Sequence, residues 1–309
     1  MPPMRVFKGD ELLFLLLWCS GYIGAKLGVP VAGTFTLLLY RFLVMMLVVA
    51  VIISVRREWR APDRNTLLVG FFAHFVWLVA IFKAFEFGLN AGSVALIAAL
   101  QPALTASVSP LLLGEANDAL RWCGIGVGFV GVLVFVAGDM NLSGTALWVY
   151  GLPLLATFCL TFVTVWGRRA AKIDQRDIPV MTALFWHGLL AALCLAPLAW
   201  WFEGFAAAWG GQLVFAIIWL AIPVSIGAYG LMFYLIRTRD ATRISALQYF
   251  VPPVTMMIAW AVFGEALAGL GFLGLFITSV GFYLMSLSQR RANQRQLICP
   301  ADSASPEKC

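Results

Sequence analysis

Charge is what this sequence has least of. Only 12% of its 309 residues are Asp, Glu, Lys or Arg, about half the share of a soluble domain. A water-soluble fold with this composition would have too little polar surface to cover itself. Histidine is scarce as well: His74 and His187 are the two in the chain. They stand far apart, and there is no H-E-x-x-H and no G-x-S-x-G. An enzyme would need a nucleophile with its base, or a set of metal ligands, and neither is visible. No cofactor and no metal are expected. Six cysteines are present without a CxxC pair. Cys19, Cys123, Cys159 and Cys194 lie in apolar runs, where a free thiol acts as a small hydrophobe. No small-x-small cleavage site follows the first apolar run, so it reads as a retained span and not a signal peptide. The repeated charge rings and carbonyl filters of channels are missing too.

Apolar residues fill the space: 62% of the chain is hydrophobic and mean hydropathy is +0.91. Residues 91–113 and 244–263 hold no charged side chain, and about 20 residues suffice for a helix to cross a bilayer. The pattern predicts an all-α polytopic membrane protein. Ten spans are expected, near 11–29, 35–55, 66–88, 91–113, 118–138, 145–167, 180–201, 212–236, 242–263 and 268–288. A polar, basic tail over 290–309 is expected to be disordered.

The chain also repeats itself. At a constant offset of 150, Ala91 falls on Ala241, Pro102 on Pro252, Thr105 on Thr255 and Gly114-Glu115-Ala116 on Gly264-Glu265-Ala266. Gly124 and Gly131 fall on Gly274 and Gly281. Two units follow, 1–139 and 140–289, each with five spans. With the N-terminus in the cytoplasm, 18 of the 21 Lys and Arg fall on the inner side and the outer loops receive none. The net charge of +6 therefore reports topology, and no nucleic-acid partner is expected. An odd number of spans per unit turns the second half upside down. Inverted repeats are a recurrent architecture of secondary transporters, with the substrate held near the midplane.

The doubled block, with Trp18 and Lys26 in span 1, Tyr40-Arg41-Phe42 in span 2 and Gly227-Ala228-Tyr229 in span 8, resembles the EamA-like family of the drug/metabolite transporter superfamily. The resemblance covers about Leu12 to Ser288. It implies ten helices, alternating access and export of metabolites across the inner membrane; the YddG-type exporters in this superfamily move aromatic and other amino acids. The partners expected are a small-molecule substrate and the lipid bilayer.

Lys26, Arg41 and Lys83 lie within spans, and Glu86 is one turn from Lys83. Charges at membrane depth are costly and mark gates or substrate sites, unless they snorkel to the interface. Arg41 is too deep to snorkel and needs a partner: Glu86, a carbonyl or a substrate carboxylate. His74, Trp77, Gln101, Trp186, His187, Tyr229, Gln248 and Tyr249 are candidate cavity residues, on spans 3, 4, 7, 8 and 9. Packing alone is the competing role for each. Pro102 and Pro252 are expected to kink their helices. The glycines of spans 5 and 10 permit close helix approach, within a monomer or across a homodimer. Glu115, Asp139, Glu203 and Glu265 all read as span ends, so no mid-span carboxylate is available to carry a proton. A facilitator is the simplest expectation. Proton-coupled efflux of drugs or lipophilic cations is the rival, and it would require a buried anion.

Overall fold

The computed structural model describes residues 8–113, 118–173, 178–238, 247–265 and 269–298, and among them there is no strand. Its spans are α1 (Gly9–Ala32), α2 (Thr34–Arg56), α3 (Arg64–Glu86), α4 (Ala91–Val108), α5 (Ala119–Met140), α6 (Leu147–Gly167), α7 (Val180–Glu203), α8 (Gly211–Met232), the shorter α9 (Val251–Phe263) and α10 (Gly269–Ser288). Residues 114–116, 241–246 and 266 of the doubled block lie outside the described residues. Helix α10 continues to Ile298, so residues 290–298 are helical where a disordered tail was expected. Nothing in Gln289–Ile298 breaks a helix: the stretch has neither proline nor glycine.

The two halves meet along paired helices. Helices α5 and α10 form the largest helix contact, and glycines set its distance. A Cβ on Gly281 would stand 2.4 Å from Gly128 N, one on Gly131 2.4 Å from Thr278 N, and one on Gly274 2.4 Å from Phe135 N. Gly124 faces Gly281, Gly131 faces Gly274 and Thr278, and Gly138 faces Leu270 and Gly271. Numbers rise along one helix as they fall along the other, so the helices run antiparallel. Gly124 meets the repeat mate of Gly131, and Gly131 meets the mate of Gly124. A two-fold axis generates this reciprocal pattern, and it inverts one half relative to the other. These glycines serve packing within the chain. Helices α2 and α7, also mates, meet in the same sense: Phe35 packs on Phe202, and Gly188 lies against Met45 and Met46.

The repeat also sets the helix breaks. Helix pieces end at Ala98 and resume at Gln101, and Tyr249-Phe250 form a turn before α9. Ala99-Leu100 and Tyr249-Phe250 are repeat mates, two to three residues before Pro102 and Pro252. Proline has no N–H to return to the preceding turn, so the ladder opens there. A second matched irregularity is a π-helical stretch, Phe71–Val76 in α3 and Leu220–Ala228 in α8. Pro223 accounts for the one in α8.

Candidate functional site

Between the halves lies a cavity lined by α1, α2, α3 and α8. This differs from the spans expected: α1 and α2 contribute, and α4, α7 and α9 do not. Its charged group is Arg41, 4% exposed. Arg41 Nε donates to Ser225 Oγ at 3.0 Å, and that hydroxyl donates to the Leu220 carbonyl at 2.7 Å. The accepting carbonyl lies five residues back in the π-helical stretch Leu220–Ala228, the spacing of a π turn, so α8's irregular backbone anchors the arginine of α2. The guanidinium carbon is 5.8 Å from the Phe42 ring centre and 5.9 Å from that of Phe82, within cation–π range. Glu86 is not its partner, and no described residue accepts from its Nη groups. None of the lining residues is acidic.

Aromatic side chains make the rest of the wall. Trp18, Tyr22, Trp77 and Tyr229 line the cavity, and Trp18 meets Tyr229 edge-on at 5.5 Å. Behind Tyr229 stand both histidines. His74 is 5.5 Å from the Tyr229 ring and 4.8 Å from His187. Both nitrogens of His74, Nδ1 of His187 and Nε1 of Trp77 are buried without a hydrogen-bond partner. Unfilled polar atoms at this depth are costly.

A polar cluster closes one end of the molecule. Lys26 pairs with Glu265 and also reaches Asn90 Oδ1 and the Leu89 carbonyl, each at 3.4 Å. The Glu265 carboxylate accepts the Ala91 N–H at 3.1 Å, where an anion suits the start of α4. Asp139 lies beside it, 6% exposed. It accepts from Asn90 Nδ2 at 3.0 Å, Ser93 Oγ at 2.7 Å and Tyr150 Oη at 2.7 Å. Asp139 stands at the end of its span, as expected, one residue before Met140, and the helix continues past it to Ser143, so this span-end carboxylate is nevertheless buried. At the same end, π turns over Ala199–Glu203 aim Glu203 at the Phe35 and Thr36 N–H groups, at 3.0 and 2.7 Å. Gly33 makes room: a Cβ there would stand 2.6 Å from Glu203 Cδ, and its φ is +68°.

Several expected cavity residues lie elsewhere. Trp186 packs on Phe185, and its Nε1 donates to the Arg60 carbonyl at 2.8 Å, outside the cavity. Sequence neighbours on a helix point about 100° apart, so Trp186 cannot share a face with His187. Tyr249 stacks on Phe282 at 4.9 Å in a seam with Ala99 and Ala103. Gln101 Nε2 donates to Thr164 Oγ1 at 3.0 Å and ties α4 to α6. Gln248 is half-buried at the break before α9. Lys83 pairs with Glu86 at 2.8 Å and lies over Phe35, away from the cavity. The residues that sequence reasoning missed are Tyr22, one turn after Trp18, and Ser225, two residues after Pro223.

The profile of the EamA-like transporter family matches the chain twice, over residues 11–137 and 147–287. A probable amino-acid metabolite efflux pump of Escherichia coli (strain K12) is 24% identical over 279 residues, 88% of this chain and 92% of that protein. A probable terminal-alkyne amino-acid exporter of Streptantibioticus cattleyicolor is 25% identical over 293 residues, 92% of this chain and 94% of that protein. A solved crystal structure, 21% identical, superposes with a TM-score of 0.66 and covers 91% of this chain and 96% of its own. The chain is a multi-pass membrane transporter and not an enzyme, and it belongs to the EamA-like transporter family.

Proposed function

We propose that this protein exports small metabolites bearing a carboxylate, neutral and aromatic amino acids first among them, across the inner membrane. The observation that carries the proposal is Arg41: a buried cation in an aromatic-walled cavity, with no acidic residue in the lining. A cation at that depth needs an anion, and a carboxylate docks on a guanidinium through paired N–H···O bonds. Trp18, Tyr22, Trp77 and Tyr229 then take the side chain. The names of the relatives, which include amino-acid exporters, lean the same way.

Transport follows from the inversion. Rocking of one half against the other exposes the cavity to each side in turn. With both termini cytoplasmic, as the placement of Lys and Arg favours, the Lys26–Glu265 tie is an outer gate and this conformation is closed outward. Release requires that the pair part. Because the cavity holds no carboxylate, the substrate's own gradient is the simplest driving force. Asp139 supports a second reading, in which a proton on this buried carboxylate weakens the outer cluster and couples export to proton entry.

Exchange of labelled phenylalanine in proteoliposomes, with and without an imposed pH gradient, separates the two. Saturable exchange indifferent to the gradient supports the facilitator. Exchange driven by the gradient, and uncoupled from it in Asp139→Asn, supports proton coupling. No exchange of any amino acid refutes the substrate assignment.

A further inference from the structure

We infer that the site reads the carboxylate and the apolar body of its substrate and leaves the α-amine unread, so that monoanionic aromatic 2-hydroxy acids pass as readily as amino acids. The inference deepens the proposed function and rests on its assignment of Arg41 to a substrate carboxylate.

Charge accounting carries it. A site built for a zwitterion presents a cation to the carboxylate and an anion or a set of acceptors to the ammonium. Here the cation is present, and an anionic counterpart is missing from the lining. The described carboxylates nearby are committed elsewhere. Glu265 holds Lys26 and the Ala91 N–H. Asp139 is filled by Asn90, Ser93 and Tyr150. Glu203 caps α2, and Glu86 pairs with Lys83. The lining offers an ammonium no anion, only the aromatic faces of Trp18, Tyr22, Trp77 and Tyr229 and the neutral phenol oxygens of the two tyrosines, which take an amine or a 2-hydroxyl alike. The unfilled nitrogens of His74 are buried behind Tyr229 and do not reach the cavity.

The electrostatic result is asymmetric. A carboxylate neutralises Arg41. An added ammonium returns the site to net positive, close to the guanidinium. Cation–π contact offsets that repulsion in part and does not discriminate strongly. Where a protein does read a polar group through a buried partner, removing the group costs about 100-fold or more. A ratio near one is therefore diagnostic.

The test is counterflow into proteoliposomes of the wild-type protein with three labelled compounds sharing one ring: L-phenylalanine, L-phenyllactate, in which a hydroxyl replaces the amine, and phenethylamine, which lacks the carboxylate. The expected result is phenyllactate exchange within about threefold of phenylalanine, with phenethylamine excluded. Phenylalanine exchange with phenyllactate about 100-fold slower would overturn this inference and leave the proposed function standing. Phenethylamine moving while both acids fail would overturn both, as would no flux of any of the three. Arg41→Gln and Arg41→Lys add an internal check. If the carboxylate is the group read, both acids lose the same factor in each variant, because no second group discriminates between them. Unequal loss counts against the inference.

Discussion

Replacing Gly281 with alanine puts a methyl group 2.4 Å from Gly128 N, 2.6 Å from its Cα and 2.7 Å from the Gly124 carbonyl oxygen. Those neighbours are backbone and cannot rotate aside. Ordinary contact needs about 3.5 Å, so α5 and α10 must separate by about 1 Å at this point. Overpacking of this kind costs about 1–3 kcal/mol, against a helix-propensity gain of up to about 1 kcal/mol for Gly→Ala. A clash this close with backbone puts the cost at the upper end, about 2–3 kcal/mol, so the net expectation is a loss of about 1–2 kcal/mol, or several degrees in Tm. Gly131→Ala meets the mirror-image wall, Thr278 N and Oγ1 at 2.4 Å, and is expected to lose as much. Gly126→Ala, on the same helix with nothing within 4 Å, is expected to be neutral or stabilising. Thermal stability of the detergent-solubilised variants, followed by size-exclusion chromatography after heating, measures all three. The double variant Gly131→Ala/Gly281→Ala is expected to lose less than the sum, because one separation relieves both clashes. Wild-type stability in Gly281→Ala, or an equal loss in Gly126→Ala, would refute the antiparallel glycine seam.

Other expectations follow from the same geometry. Glu265→Gln leaves Lys26 without its anion and frees the start of α4. About 1.4 kcal/mol would shift the population toward an outward-open form tenfold, read as faster labelling of an introduced Tyr22→Cys by an impermeant maleimide from the outer side. Glu86→Gln breaks only an interfacial pair worth about 0–1 kcal/mol and is expected to leave transport unchanged; lost transport with normal protein level would count against the facilitator. Trp77→Ala is expected to raise the half-saturation concentration about tenfold or more, and Trp186→Phe to leave it alone. Ser225→Ala removes the hydroxyl that anchors Arg41 and is expected to weaken substrate affinity severalfold.

The sequence carried the architecture because the features that set it are local and repeated. Span length, the doubled Pro and Gly positions and the one-sided arginines each leave a mark in the chain. The glycine spacing even hinted at the α5–α10 seam, although the competing dimer reading needed the close contacts of Gly131 and Gly281 to be set aside. The cavity was less legible. Which face of an apolar helix points inward leaves little trace when lipid and interior are equally apolar. Trp186 and Tyr249 look like cavity aromatics in one dimension and fill other contacts in three. Asp139 lies at a span end as its position in the chain suggests, but its burial depends on Asn90, Ser93 and Tyr150, which no local pattern marks as its partners. Ser225 matters only through the π turns around Pro223. The matching stretch at His74, Phe71–Val76, has no proline.

The most direct test of the central claim is the saturation curve for phenylalanine exchange by wild type and Arg41→Gln in matched proteoliposomes, with fold integrity checked by size-exclusion chromatography. The account expects saturable exchange in the wild type and an affinity loss of about 10- to 100-fold in the variant, the scale set by a buried charge-assisted hydrogen bond. A folded Arg41→Gln protein that exchanges phenylalanine with wild-type affinity would contradict it.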